Sequence, residues 1–204
     1  SEAEELLKTA LQLSNNDANI REKLEDIQLQ QKNKVIVQAK ELAKKQPSQE
    51  KRNRAKVLET DFVKQEIQIL TQREQRYPSD MRLKLELASR LIRFGRWKQS
   101  IPMLQKAATD SRIRGEALVR LGMCFNNDNK PQLARHQLEQ ALTEVDHDSN
   151  PKMYKEMLYL LGTICETAGD LPEAEKYYSM LLAVDYGYQD AVKRLESLQS
   201  RPKR

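Results

Sequence analysis

A spaced set of small and apolar residues occurs three times in this chain, and that self-similarity limits the fold more than any single residue does. Leu87-Ala88, Gly95, Ser100, Leu104 and Ala107 return 34 residues later as Leu121-Gly122, Asn129, Ala134, Leu138 and Ala141. They return again, 40 residues further on, as Leu161-Gly162, Gly169, Ala174, Tyr178 and Leu181. A period of this length belongs to a stacked helical array, whose units bury their apolar faces only against one another. Such an array mostly presents surface to partners and does not enclose a reaction.

From 78 to 198 the pattern resolves into helix pairs. Pro78-Ser79-Asp80 offers a stop and a cap, after which Met81, Leu85, Ala88, Leu91 and Ile92 form one helical stripe. Gly95 ends that helix, and Trp97 to Ala108 is predicted to return, with Pro102 in its first turn. The second pair is expected at 111–126 and 131–145, with Asn129 as N-cap. The third starts at Pro151 behind an Asp148 or Ser149 cap, and Asp170 to Glu173 resembles a capping box. Six extra residues lengthen the turn around His147 to Asn150. A last helix from Gln189 to Leu198 would cover the final apolar face.

These residues resemble the tetratricopeptide repeat, a 34-residue helix-turn-helix unit. Ala88, Gly122 and Gly162 match the small residue of its first helix, Ser100, Ala134 and Ala174 that of its second, and Gly95, Asn129 and Gly169 its turn. The chain departs from the family where an aromatic is usual, at Lys84, Leu118 and Leu158, and at the six-residue insertion. The resemblance implies an all-α, right-handed solenoid of antiparallel helix pairs, with the first helices lining a peptide-binding groove.

The first 77 residues read differently. Residues 1–17, with Ala3, Leu7 and Ala10 before Ser14-Asn15-Asn16-Asp17, look like the second helix and exit turn of a half-repeat. At 18–77, Ile20, Leu24, Ile27, Gln31, Val35, Ala39 and Leu42 trace one face of a long helix. A turn at Gln46-Pro47-Ser48 and a second long helix complete an antiparallel hairpin about 37 Å long at about 1.5 Å per residue. Its stripe either packs as ordinary core or serves as a homodimer or docking surface. The start at Ser1, inside an amphipathic pattern, suggests a fragment or a processed product.

Charge and composition narrow the function classes. Of the 204 residues 32% are charged, and the net charge is +5, yet the signs alternate except around the hairpin turn and in the basic tail, 199–204. Lys44, Lys45, Lys51, Arg52, Arg54 and Lys56 gather at that turn as a solvated bend or an RNA or anionic-surface contact. No apolar run is long enough to span a membrane. A cytoplasmic, soluble protein is expected, with nucleic acid a less favoured partner. Cys124 and Cys165 read as buried reduced thiols. His136 and His147 lack Cys or carboxylate partners at ligand spacing, and no phosphate loop or nucleophile motif occurs. No enzyme, cofactor or metal is therefore expected. Tyr177, Tyr178, Tyr186 and Tyr188 read as packing between the last repeat and its capping helix.

In the groove that the resemblance implies, the exposed faces would present Arg82, Leu85, Ile92 and Arg93, then Val119, Arg120, Met123 and Asn127, then Tyr159 and Thr163. Val119, Met123 and Tyr159 would form an apolar anchor site within a polar rim. Some family members clamp a chaperone C-terminal carboxylate with Lys, Asn and Arg. The matching positions hold Leu85, Ser89, Glu116, Arg120 and Glu156, and two acids there would repel a carboxylate. The expectation is a scaffold or adaptor binding an unidentified protein or peptide, with a structural oligomerisation segment as the further alternative.

Overall fold

Asp80 marks where the array begins: its carboxylate accepts the Leu83 amide at 3.0 Å and caps the helix that follows. The computed structural model describes residues 1–200, all of whose regular elements are helices; the basic tail from Arg201 lies outside them. The chain divides into two units, 1–76 and 77–204.

In the first unit, α1 (Glu2–Leu13), α2 (Ala18–Lys45) and α3 (Gln49–Arg76) follow one another. Asn15 and Asn16 take the left-handed backbone, which Asn tolerates better than most residues. Asp17 then caps α2 by accepting the Asn19 and Ile20 amides at 2.9 and 3.2 Å. α2 and α3 are each 28 residues long, about 42 Å, somewhat longer than the sequence implied. They run antiparallel, since Lys40 pairs with Glu59 and, at the other end, Arg73 pairs with Glu25 at 2.9 Å. α1 lies along the first part of α2, where Gln28 and Gln31 donate to Glu4 and Ser1.

At the base of the hairpin, Arg73 bonds Glu25, Asp26 and the Glu22 carbonyl, while Arg76 reaches Glu22 and Glu25. Glu25 is buried there. A carboxylate tolerates that place only because two guanidinium groups converge on it.

The second unit contains three helix pairs and a last helix: α4 (Met81–Arg93) with α5 (Trp97–Ala107), α6 (Arg114–Asn127) with α7 (Pro131–Ala141), α8 (Pro151–Ala168) with α9 (Leu171–Val184), then α10 (Ala191–Gln199). Each first helix packs on its own return helix, and α4, α6 and α8 also touch one another in sequence. The repeated small residues explain how closely the pairs approach. Ser100 donates to the Ala88 carbonyl, and a methyl on Gly122 would lie 2.5 Å from Leu138, one on Gly162 2.5 Å from the Tyr178 ring. Leu87, Leu121, Leu161, Leu104, Leu138 and Leu181 are all buried, as the period required. Gly122→Ala is accordingly expected to lower stability by about 1 kcal/mol, read from the urea midpoint. Overpacking of about 1–3 kcal/mol outweighs the gain of about 1 kcal/mol in helix propensity.

Several boundaries differ from the sequence expectation for local reasons. α6 starts at Arg114 and not Ser111, because Asp110 accepts both the amide and the guanidinium of Arg112 and holds 110–113 as a turn. Arg112 thereby lowers the Asp110 carboxyl to about 2. α7 ends at Ala141 and α10 begins only at Ala191, after Gln189 with φ 48°. Asn129 is a left-handed turn residue and not a cap, with φ 56°. Asn150, and neither Asp148 nor Ser149, caps α8 by accepting the Met153 amide at 3.2 Å. Asp170 precedes α9, but its side chain pairs with Arg135 at 2.7 Å and gives no side-chain cap. Pro102 lies beyond the first turn of α5 and not in it.

Lys84, Leu118 and Leu158, where the family places an aromatic, are all buried. Cys124 and Cys165 are buried and unpaired to each other. Burial pushes each thiol up to about 11 from an ordinary 9.0. Below pH 9 the neutral thiols fit their sites fully. Above it the unfolded chain ionises first, so stability is expected to fall as pH rises from 9 to 11. Thiol-reagent labelling checks the same point: both cysteines should react only at the rate of unfolding.

Candidate functional site

Side chains from α6, α8 and the segment after α9 line an apolar recess in the second unit. Val119 and Met123 stand one turn apart on α6, and Glu156, Met157, Tyr159 and Leu160 follow on α8. Tyr188 and Gln189 close the far side, around a volume of about 190 Å³. The three residues expected to form an anchor site, Val119, Met123 and Tyr159, thus do line one cavity. They differ in how they do so. Val119 is only 2% exposed and belongs to the core, as do Leu85 and Ile92, so these three do not offer an exposed face. All three belong to the one continuous core that runs through the helix pairs.

Tyr159 is fixed from behind. Its hydroxyl donates to Asp190, whose carboxylate also accepts from Arg194 Nε at 3.0 Å. Arg194 reaches on to Glu166 at 2.9 Å, and Glu166 accepts the Tyr178 hydroxyl at 2.9 Å. The Tyr159 ring packs at 5.7 Å from Tyr188 and 6.3 Å from Tyr178, and the Arg194 guanidinium sits 5.9 Å from its centre. Burial, with the Asp190 carboxylate beside it, pushes the Tyr159 phenol above its usual range. The ring therefore faces the cavity as a rigid wall, and its polar end is already satisfied.

The remaining expected contact residues do not line this recess. Arg120 donates both Nε and Nη2 to Glu116, and the Asn127 amide donates to the Met123 carbonyl at 2.9 Å. Thr163 is half-buried and donates to Leu160, while Arg82 and Arg93 are exposed on α4. Met157, Tyr188 and Gln189 join the site without being expected there. The sequence reading gives Tyr188 a packing role alone, and the i,i+4 spacing of Asp190 and Arg194 is the sequence signal that points to this end of the array. Tyr177 and Tyr178 do pack as core, but Tyr186 is 73% exposed and packs against nothing of that kind. His136 bonds Gln140, and His147 stands edge-on to Tyr154. Among the described residues no group of His, Cys, Asp or Glu could hold a metal ion, and no helix is long and apolar enough to cross a membrane.

Stacked antiparallel helix pairs, with small residues at each crossing and an apolar recess between first helices, define a helical-repeat solenoid. The tetratricopeptide repeat profile matches residues 85–151 and 127–191, more than half of the chain, which therefore belongs to the tetratricopeptide repeat family. No curated protein sequence matches it. Among solved structures, YrrB, described as a TPR protein with an unusual peptide-binding site, is 14% identical with a TM-score of 0.61. That match covers 93% of this chain and 97% of YrrB. MamA is 18% identical with a TM-score of 0.60, over 74% of this chain and 82% of MamA. TTC0263, a thermophilic TPR protein of Thermus thermophilus, is 15% identical with a TM-score of 0.53, over 88% and 96%. At these identities the likeness is one of fold.

Proposed function

We propose that this chain is a non-catalytic scaffold whose α4, α6 and α8 face binds a protein segment, anchored by an apolar side chain in the Val119, Met123 and Tyr159 recess. The single observation that carries this reading is the recess itself. It is largely apolar, rigidly walled by Tyr159, and has Glu156 in its lining, while α6 also carries the Arg120–Glu116 pair. An apolar pocket inside a polar rim is how interaction surfaces concentrate affinity. The peptide-binding description of YrrB, which shares the fold, supports it. The bound segment carries an apolar anchor and not a terminal carboxylate, because Glu116 and Glu156 hold the positions where a clamp would need cations.

Peptide-display selection against the whole chain tests this. Selected segments should share one apolar anchor, and Met123→Glu should weaken them by about tenfold or more, since it puts a charge against a desolvated contact. Met123 is half-buried, so circular dichroism must first show the helices intact. Binding unaffected by Met123→Glu, or preference for peptides ending in Glu-Glu-Val-Asp, would overturn the reading.

A further inference from the structure

The far half of the first unit's hairpin carries a second apolar surface. Within the first unit α1 accompanies α2 as far as the contacts of Gln28 and Gln31, and beyond them α2 packs on α3 alone. Two helices cannot enclose an apolar stripe between them, and here they do not. Val35, Gln38, Ala39 and Leu42 of α2, at i, i+3, i+4 and i+7, line one side of a groove of about 300 Å³. Glu50, Lys51, Arg54 and Leu58 of α3 line the other, two cations and an apolar residue on one helical stripe with a single carboxylate beside them. Val35 and Leu42 are 48% and 44% exposed, and Val57, nearby on α3, is 58% exposed. This is the shape left when the third helix of a bundle is missing.

The charge around the groove selects the occupant. Some cations of the hairpin are paired, Lys40 with Glu59, Lys64 with Asp61 and Arg73 with Glu25 and Asp26. At the groove end, Lys44, Lys45, Lys51, Arg52, Arg54 and Lys56 make no ion pair with any carboxylate among the described residues. Lys51 bonds only the Gln46 amide oxygen. The carboxylates of that stretch are Glu41 and Glu50. A second copy docking by the same end would bring like charges together, and an extended nucleic acid has no use for the Val35, Ala39, Leu42 and Leu58 floor.

We propose that this groove takes an acidic amphipathic helix from a partner protein, about two to three turns long. Its apolar stripe would rest on Val35, Ala39, Leu42 and Leu58, and its carboxylates would meet Arg54 and the neighbouring cations. The helix would complete a three-helix bundle, removing an apolar stripe from water while pairing charges that have no ion-pair partner among the described residues. This site is independent of the recess on α6 and α8, so either can fail without the other.

The test uses the whole chain and three fluorescent probes in anisotropy titrations. They are a capped model helix of about sixteen residues with Leu at helical stripe spacing and Glu elsewhere, the same helix with Lys for Glu, and a U-rich RNA of similar length. The acidic helix should bind, and the Lys helix should bind at least tenfold more weakly. Leu42→Glu and Arg54→Glu, both at exposed positions, should each weaken the acidic helix about tenfold while circular dichroism stays unchanged. Absence of binding overturns the proposal, as does equal binding of the two helices. RNA binding that Arg54→Glu removes and Leu42→Glu does not would assign the surface to nucleic acid instead. Sedimentation showing a dimer that Leu42→Glu dissociates would assign it to a second copy.

Discussion

Tyr178→Ala is expected to cost the array about 3–5 kcal/mol, seen as a large drop in the urea midpoint. The ring is fully buried against Gly162, and its hydroxyl is tied to Glu166. Tyr178→Phe, which keeps the ring and loses only the bond, should cost about 1 kcal/mol. The two residues should also be coupled. Gly162→Ala destabilises the native array because its methyl would stand 2.5 Å from the ring, but in the Tyr178→Ala background that methyl enters vacated space and should be neutral or favourable. If the two substitutions simply add, the close approach is not what the glycine is for.

Arg73→Leu should be the most damaging change in the first unit. Arg73 holds Glu25, Asp26 and the Glu22 carbonyl together, with its side chain 17% exposed and that of Glu25 10%. Burial opposes its charge, yet the hydrogen bonds to Asp26 and Glu25 outweigh that and raise its pKa. Removing it leaves the buried Glu25 carboxylate with only Arg76 for partner. A cost of about 2–3 kcal/mol follows, at the lower end for a buried pair because water reaches the cluster's edge. Hydrogen exchange should show the loss as faster exchange near 22–28 and 66–76. The double variant Arg73→Leu with Glu25→Leu should recover much of it, since an apolar pair leaves no stranded charge. No recovery would mean that the guanidinium acts through other contacts.

Much of the second unit is legible in the sequence. The small residues at Ala88, Gly122 and Gly162 announce the crossings, and Gly95 and Gly169, both at positive φ, announce turns. The capping residues are less legible, because Asn129, Asp148, Ser149 and Asn150 share the same chemistry and compete within a few residues. Which of them caps depends on where the preceding turn has already pointed the backbone. Pro102 is a different case: the start of α5 at Trp97 is legible in the sequence, and the proline, five residues on, lies beyond the first turn by count alone.

The candidate recess divides along the same line. Val119, Met123 and Tyr159 lie at recurring positions of first helices, so their periodicity alone places them together. That Val119 lies beneath the surface, that Tyr188 and Gln189 close the cavity, and that Asp190 and Arg194 lock Tyr159 depend on contacts between residues about 30 apart or more, which no period encodes. The 34-residue repeat by itself determined an all-helical array and the identity of the residues at each helix crossing, because close approach admits only small side chains there. Only the tertiary structure decided which apolar residues remain reachable. Exposure is set by what each neighbouring helix covers, as the buried Val119 and the uncovered Val35 and Leu42 show.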